Sequence, residues 1–200
     1  MKDKHFFVGG LGVVLFILLV VLLFGGHLHE AETDNETVTW IPDGVISSGE
    51  YSVHYSGDGL DLYLRVENES LMVGIMARTR GWVAVGFGGG PGMKDTDIVI
   101  AYVLPNGTVR ISDEYSTGFS GPHNPDRIYG GSFDITSYGG KEENVTVVEF
   151  SRPLKTGDRY DFQINLGEEF RVVWAYGSVD DFLSMHSKAG SFRVKLGGSQ

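Results

Sequence analysis

The sequence predicts an all-β fold made of two packed sheets, and three observations support this prediction. Apolar and polar residues alternate with a period of two in several short segments, and turn signals recur about every ten residues. Glycine (29 residues) and aromatic residues (12%) are both plentiful. A chain of 200 residues can bury one sizeable core. We count roughly nine or ten strands, which is enough for a β-sandwich.

The strand signals begin near Val45. Leucine and valine alternate with polar side chains from Leu60 to Val66, which is typical of a half-buried antiparallel strand. The dipeptide Asn106-Gly107 predicts a tight hairpin turn, and residues 113–141 read as a long turn-rich connection. The predicted strands cover residues 60–66, 71–77, 81–87, 98–104, 109–111, 145–150, 162–166, 170–176 and 191–196.

The stretch from Gly81 to Val103 joins two apolar strands through a loop that few side chains cover. Its glycine-rich part, residues 88–92, cannot continue a strand ladder and leaves the backbone open to close approach by another group. Met93 follows at once, outside any apolar periodicity. Asp95 and Asp97 stand at the entrance of the second strand, where they either ligate calcium or accept hydrogen bonds that shape the loop. We favour the hydrogen bonds.

The composition argues against several classes of function. The chain contains no cysteine, so a disulfide framework, a thiolate metal site and a cysteine nucleophile are all impossible. The formal net charge of −10 argues against nucleic acid as a partner. No serine-histidine-aspartate or paired-carboxylate arrangement is recognisable in the sequence. No catalytic constellation is therefore recognised, and we do not expect an enzyme.

The N-terminal segment predicts a membrane anchor. Residues 6–24 form an unbroken apolar run that is long enough, as a helix, to cross most of a bilayer. No convincing cleavage site precedes Ala31, so an uncleaved anchor is favoured over a signal peptide, whose removal would give a secreted protein. Lys2 and Lys4 precede the run, and the positive-inside rule then places the C-terminal part outside the cell. We divide the chain into an anchor (1–30), a polar linker (31–44) and a β-sandwich domain (45–200).

Glycosylation motifs agree with an exported surface. Each consists of an asparagine, any residue other than proline, and a serine or threonine. The four motifs lie at Asn35, Asn68, Asn106 and Asn144. We therefore expect a glycoprotein.

Several segments taken together resemble the DOMON domain, the family named after the N-terminal domain of dopamine β-monooxygenase. The matching segments are GWVAVGFG, MKDTDIVIAYV, DEYSTGFSGPHNPD, FSRPLKTGDRYDFQI, VVWAYG and the region around His186. They follow one another in this order between Tyr51 and Leu196. The resemblance implies an immunoglobulin-like β-sandwich that holds either a b-type haem or a sugar.

The resemblance also implies a pair of iron ligands. In haem-binding relatives such as the cytochrome domain of cellobiose dehydrogenase, a methionine and a histidine hold the iron, and their positions match Met93 and a site near His186. Two occupied axial positions keep oxygen and substrates off the iron, which favours electron transfer. His123 is a weaker candidate ligand, and Met185 would point away from the iron that its neighbour binds. The expected walls of the haem slot are Trp82, Phe87, Tyr102 and Trp174.

Three functions remain open at this point. The first is a membrane-anchored extracellular haem b protein that passes electrons between a membrane or surface redox partner protein and an external acceptor. The alternative is a haem-free module that binds a sugar or glycan in the same cleft, with Trp82 and Trp174 as contacts. A third is a structural domain whose cleft is filled by its own side chains. A haem predicts an apolar slot between Met93 and His186, whereas a sugar predicts an exposed aromatic platform fringed by carboxylates and amides.

Overall fold

The computed structural model describes residues 38–197, and this part of the chain consists of antiparallel strands with almost no helix. One 3-10 turn at Asp126–Ile128 is the only helical element among these residues. The strands are β1 Val53–Gly57, β2 Leu60–Glu67, β3 Ser70–Ala77, β4 Val83–Gly88, β5 Thr96–Val103, β6 Val109–Ser116, β7 His123–Pro125, β8 Ser137–Glu142, β9 Thr146–Pro153, β10 Glu169–Tyr176 and β11 Lys188–Lys195.

The strands form two sheets, so the predicted all-β sandwich is confirmed. One sheet has five strands in the order β1-β2-β3-β9-β8. The other has six strands in the order β11-β10-β4-β5-β6-β7. The predicted membrane segment, residues 6–24, lies outside the described residues. Within residues 38–197 no helix has the length and apolar character needed to span a bilayer.

The core lies between the two sheets and follows the period-two pattern of the sequence. Alternate residues of β2, such as Leu62 and Leu64, point into it and are fully buried. Phe150 of β9 reaches the same core from the five-stranded sheet, and Val85 and Phe87 of β4 reach it from the six-stranded sheet. Side chains of this size stabilise the fold by about 1.5–3 kcal/mol each when they leave water.

The predicted strand at residues 162–166 is wrong. These residues pair with no neighbouring strand, because their backbone amides donate hydrogen bonds to other groups. The Phe162 amide donates to a carboxylate oxygen of Asp97 at 2.8 Å, and the Ile164 amide donates to the carbonyl of Leu154 at 2.9 Å. The sequence reading also missed β1, β7 and β8, which are short or have few apolar residues; β1 alternates over only five residues.

The outer face of the five-stranded sheet is covered by residues 38–50. The buried carboxylate of Glu149 receives hydrogen bonds there from the Gly44 amide and from the Tyr51 hydroxyl, both at 2.7 Å. Tyr51 in turn accepts a hydrogen bond from the Trp40 indole at 2.8 Å. Residues 38–44, predicted as the end of the linker, therefore pack against the sheet.

We predict that Gly139→Ala destabilises the protein by at least about 2 kcal/mol, as measured by urea unfolding. A β-carbon at Gly139 would collide with the carbonyl of Pro42, and a backbone atom cannot move aside as a side chain can. Gly90→Ala is the matched control, because its β-carbon would lie 3.6 Å from the nearest atom. An equal loss of stability in the two variants would contradict the packing of residues 38–50 on this face.

Candidate functional site

A second apolar cluster lies on the outer face of the six-stranded sheet. Its buried members come from β4, β5 and the residue just before β4, and they alternate with the residues that face the main core. They are Trp82, Ala84, Ile98 and Ile100, with Met93, Tyr102, Ala175 and Phe182 packed against them. The centre of this sheet is therefore apolar on both faces.

A cavity of about 770 Å³ opens over this apolar face. Three connections frame it: the β4–β5 loop, the β6–β7 loop and the β10–β11 loop. The floor is formed by small and branched side chains of the sheet, including Ala84, Ile98 and Val173. This volume lies within the range of about 300–1,000 Å³ that is usual for small-molecule sites.

The β4–β5 loop carries Met93 into the lining of the cavity. The Met93 amide donates to the carbonyl of Phe119 at 2.9 Å, which ties the loop to the β6–β7 connection. Arg171 of β10 donates to the carbonyls of Gly90 and Gly92 at 2.8 and 3.0 Å. Gly92 has a φ of 64° and no room for a β-carbon against Phe119, so only glycine suits this position.

The β10–β11 loop carries His186 into the lining of the same cavity. The indole of Trp82 donates to the hydroxyl of Ser184 at 2.8 Å, and that hydroxyl donates to the carbonyl of Asp181 at 2.8 Å. The Ser187 amide donates to the carbonyl of Tyr176 at 2.8 Å. His186 itself is exposed to solvent. The hydrogen bonds of Ser184 and Ser187 therefore fix the loop on both sides of His186, whose imidazole is free.

The structure brings together most of the residues predicted from the sequence. The residues that line the same cavity include Met93, His186 and Trp82. Trp174 also reaches this cavity, although its side chain belongs to the main core cluster. Phe87 does not line it, because its position in β4 points into the core between the sheets, where it is fully buried.

Tyr102 lies behind the cavity wall. Its ring packs on Phe182, with 4.8 Å between the ring centroids, and Phe182 is the residue that lines the cavity. Tyr102 therefore supports the wall from behind.

Two further candidate ligands lie at the cavity as well. Met185 lines its mouth and has 86% of its side chain exposed. His123 lines the side formed by the β6–β7 connection, where its Nδ1 atom hydrogen-bonds to the buried carboxylate of Glu114. This bond leaves His123 with one free ring nitrogen, whereas no side chain holds the ring of His186 among the described residues.

The sequence reading missed three residues of this site. Arg171 lies between two buried residues of β10 and points outward. This alternation was the only feature of the sequence that could have marked it as a site residue. Phe182 and Ser184 lie in an irregular loop, where no periodicity marks an inward-facing side chain. Phe182 and Ser184 are recognised as site residues only through the contacts of this loop with the sheet.

A cluster of buried charges lies on the opposite face of β5, between the two sheets. The guanidinium of Arg152 pairs with Asp97 and, at 3.2 Å, with Asp161. Asp113 lies in the same cluster, and desolvation by burial raises its pKa to about 7. Asp95, in contrast, is exposed and accepts a hydrogen bond from the Tyr115 hydroxyl at 3.2 Å.

The fold and the cavity define a class of protein: a two-sheet antiparallel β-sandwich with an apolar cavity on the outer face of one sheet. The chain belongs to the DOMON domain family, whose profile matches residues 47–177. The family prediction made from the sequence motifs is confirmed.

Curated relatives share part of this domain. The chain is 33% identical over 123 residues to the putative DBH-like monooxygenase protein 2 of Homo sapiens, covering 60% of this chain and 23% of that protein. It is also 33% identical over 116 residues to DBH-like monooxygenase protein 2 of Mus musculus, covering 57% and 18%. The chain thus spans about a fifth of the length of these relatives.

One solved structure with a similar arrangement is the cytochrome domain of Myriococcum thermophilum cellobiose dehydrogenase. The TM-score is 0.48 at 12% sequence identity, and the match covers 68% of this chain and 74% of that chain.

We predict that Ser184→Ala lowers the free energy of unfolding by about 1–2 kcal/mol. The variant leaves the indole N–H of Trp82, which is 4% exposed, without its acceptor. Urea unfolding followed by tryptophan fluorescence measures the change. Ser187→Ala is the control, because Ser187 is bonded through its backbone and its side chain is exposed. Equal stability of the two variants would show that the Trp82–Ser184 bond does not hold the loop.

Proposed function

We propose that this protein binds one haem b in the cavity, with Met93 and His186 as the iron ligands, and that it carries electrons. The observation that carries the proposal is the placement of a thioether and an imidazole on two separate loops at one apolar cavity. These two donors lie far apart in the sequence, in the β4–β5 loop and the β10–β11 loop, and only the fold brings them to one cavity.

The chemistry of the lining fits a haem. The floor of the cavity is apolar, which suits a macrocycle, and the donor pair is one that iron accepts in electron carriers. Arg171 adds a positive charge beside the cavity, which suits the two carboxylates of a haem. Among the described residues, the lining contains no carboxylate and no amide side chain.

The sugar alternative lacks the surface that it requires. Trp82 and Trp174 are only 4% and 2% exposed, so neither ring offers a platform on which a sugar could stack. The polar side chains of the described lining are serines, two histidines and Arg171, and none provides the fringe of carboxylates and amides expected around a glycan.

A haem held by Met93 and His186 would supply one-electron chemistry of fairly high reduction potential, since thioether ligation favours the reduced iron. With Met93 and His186 both bound to the iron, the chain would leave no open position for a substrate, which would suit a carrier of electrons. We extend the proposal to a protein anchored through residues 6–24, with the domain outside the cell. It would accept electrons from a membrane or surface protein.

We predict that the full-length chain, expressed with a supply of haem, purifies with one haem per chain and a sharp low-spin spectrum after reduction by dithionite. Met93→Ala and His186→Ala should each give a high-spin spectrum or lose the haem, because each removes one axial ligand. Circular dichroism of the same samples reports whether the variants remain folded.

The matched controls replace the same residue types elsewhere. Met185→Ala changes the exposed neighbour of His186, and His54→Ala changes a histidine of β1 that bonds to Asp61 in the other sheet. Both should keep the low-spin spectrum. A folded parent without stoichiometric haem would overturn the proposed function. A spectrum lost in His123→Ala but kept in His186→Ala would overturn the assignment of the histidine ligand.

A further inference from the structure

The loop that carries Met93 has few side chains of its own to fix it. This Met93 loop, residues 88–94, contains four glycines and one proline. Three of the glycines, Gly88, Gly89 and Gly92, have positive φ values of 68°, 76° and 64°. Glycine loses more conformational freedom on folding than any other residue, so a loop of this composition orders itself poorly. Its backbone must therefore be held by other segments of the chain.

Arg171 of β10 provides such a contact. Its Nη1 atom donates to the carbonyls of Gly90 and Gly92 at 2.8 and 3.0 Å. The second carbonyl belongs to the residue just before Met93. Among the described residues, Arg171 is the only side chain that hydrogen-bonds to the backbone of the Met93 loop. Hydrogen bonds from a charged donor are roughly twice as strong as neutral ones, so this contact is a main restraint on the loop.

No ion pair explains the charge of Arg171. Arg171 lies directly opposite Arg193 in the β10–β11 pair, so the two side chains emerge on the same face of the sheet. Arg193 pairs with Glu169, whereas in the described part of the chain no carboxylate lies within ion-pair distance of Arg171. Like charges opposite each other destabilise a sheet. The contact that offsets this repulsion is the one between Arg171 and the loop.

The hydrogen bonds of Arg171 bear directly on the backbone of Met93. The carbonyl of the peptide unit between Gly92 and Met93 accepts from Arg171, and the amide of the same unit donates to Phe119 at 2.9 Å. Because this peptide unit is planar, its two hydrogen bonds fix its orientation. The carbonyl of Met93 also accepts a hydrogen bond from the Thr96 amide at 3.2 Å. The direction in which the Met93 side chain leaves the backbone is set by these three bonds.

We propose that Arg171 is a positioning residue for Met93 and controls the strength of the bond between the Met93 sulfur and the iron. This inference rests on the proposed function, in which Met93 binds the iron. Without the hydrogen bonds of Arg171 the peptide unit before Met93 can rotate, so the thioether spends less time within reach of the metal. A weaker thioether bond lowers the reduction potential and opens one axial position.

This role differs from that of a charge that only attracts the carboxylates of a haem. Such an attraction requires a positive charge and would survive in Arg171→Lys. The contact with two loop carbonyls requires the planar, rigid guanidinium, and a lysine ammonium on its flexible stem would restore it only in part. Arg171→Lys therefore separates the two roles: it should keep the haem content of the parent but not the full restraint on the loop.

Hydrogen exchange of the full-length chain, expressed without added haem and followed by mass spectrometry, tests the contact with the loop. Peptides that cover residues 88–95 should exchange at least about tenfold faster in Arg171→Gln than in the parent, and Arg171→Lys should lie between them. Arg193→Gln is the matched control, because it removes the charge opposite Arg171 and leaves the loop untouched. It should exchange as the parent does. Equal exchange in Arg171→Gln and the parent would overturn the proposal.

Carbon monoxide binding to the reduced, haem-loaded chain tests the effect on the iron. The gas binds only when an axial position opens, so Arg171→Gln should bind it at least about tenfold faster than the parent. Its reduction potential should fall as well, whereas Arg193→Gln should match the parent in both. Faster loop exchange with unchanged gas binding and potential would overturn the proposed control of the iron bond. A parent without haem would overturn the proposed function, and the exchange result would still decide whether Arg171 holds the Met93 loop.

Discussion

The fold depends on one constraint, which is that the central strands of both sheets must be shielded from water on two faces. β4 is buried along its whole length, and β5 and β9 are buried along nearly their whole length. An ordinary sandwich buries only the inner face of each sheet. This chain must therefore cover the outer faces with other segments.

The segments that cover the outer faces of the two sheets differ, and this difference creates the cavity. Residues 38–50 lie flat on the five-stranded sheet, where Glu149 anchors them and glycines such as Gly139 allow close contact. On the six-stranded sheet the cover consists of three loops whose ends are tied to the strands, and these loops leave a space between them. Arg171 and Trp82 fix two of the loops to the sheet. The positions of Met93 and His186 are thus set by loops that hydrogen bonds tie to the strands.

The features that could be predicted from the sequence are those that a local pattern of apolar and polar residues specifies. Alternation and turn signals were sufficient for the all-β fold and for the long strands, but β7 and β8 have no apolar pattern and were missed. Met93 and His186 were linked only by the family motifs, because nothing in their separation along the chain shows that they share a cavity. The acidic cluster was missed for the same reason: the pairing of β5 with β6 brings Asp113 opposite Val99, close to Asp97.

Residues of β5 contribute to the cavity on one face of the sheet and to the buried charges on the other. Ile98 faces the cavity, whereas Asp97, its neighbour, faces the carboxylate cluster between the sheets. The loop that enters the strand carries Met93, whose carbonyl accepts a hydrogen bond from the Thr96 amide at 3.2 Å. Arg152 pairs with Asp97 and Asp161 and so offsets part of the repulsion among these carboxylates at the start of β5. The same strand therefore carries the cavity floor on one face and an ion-paired cluster on the other, and the loop that enters it places Met93.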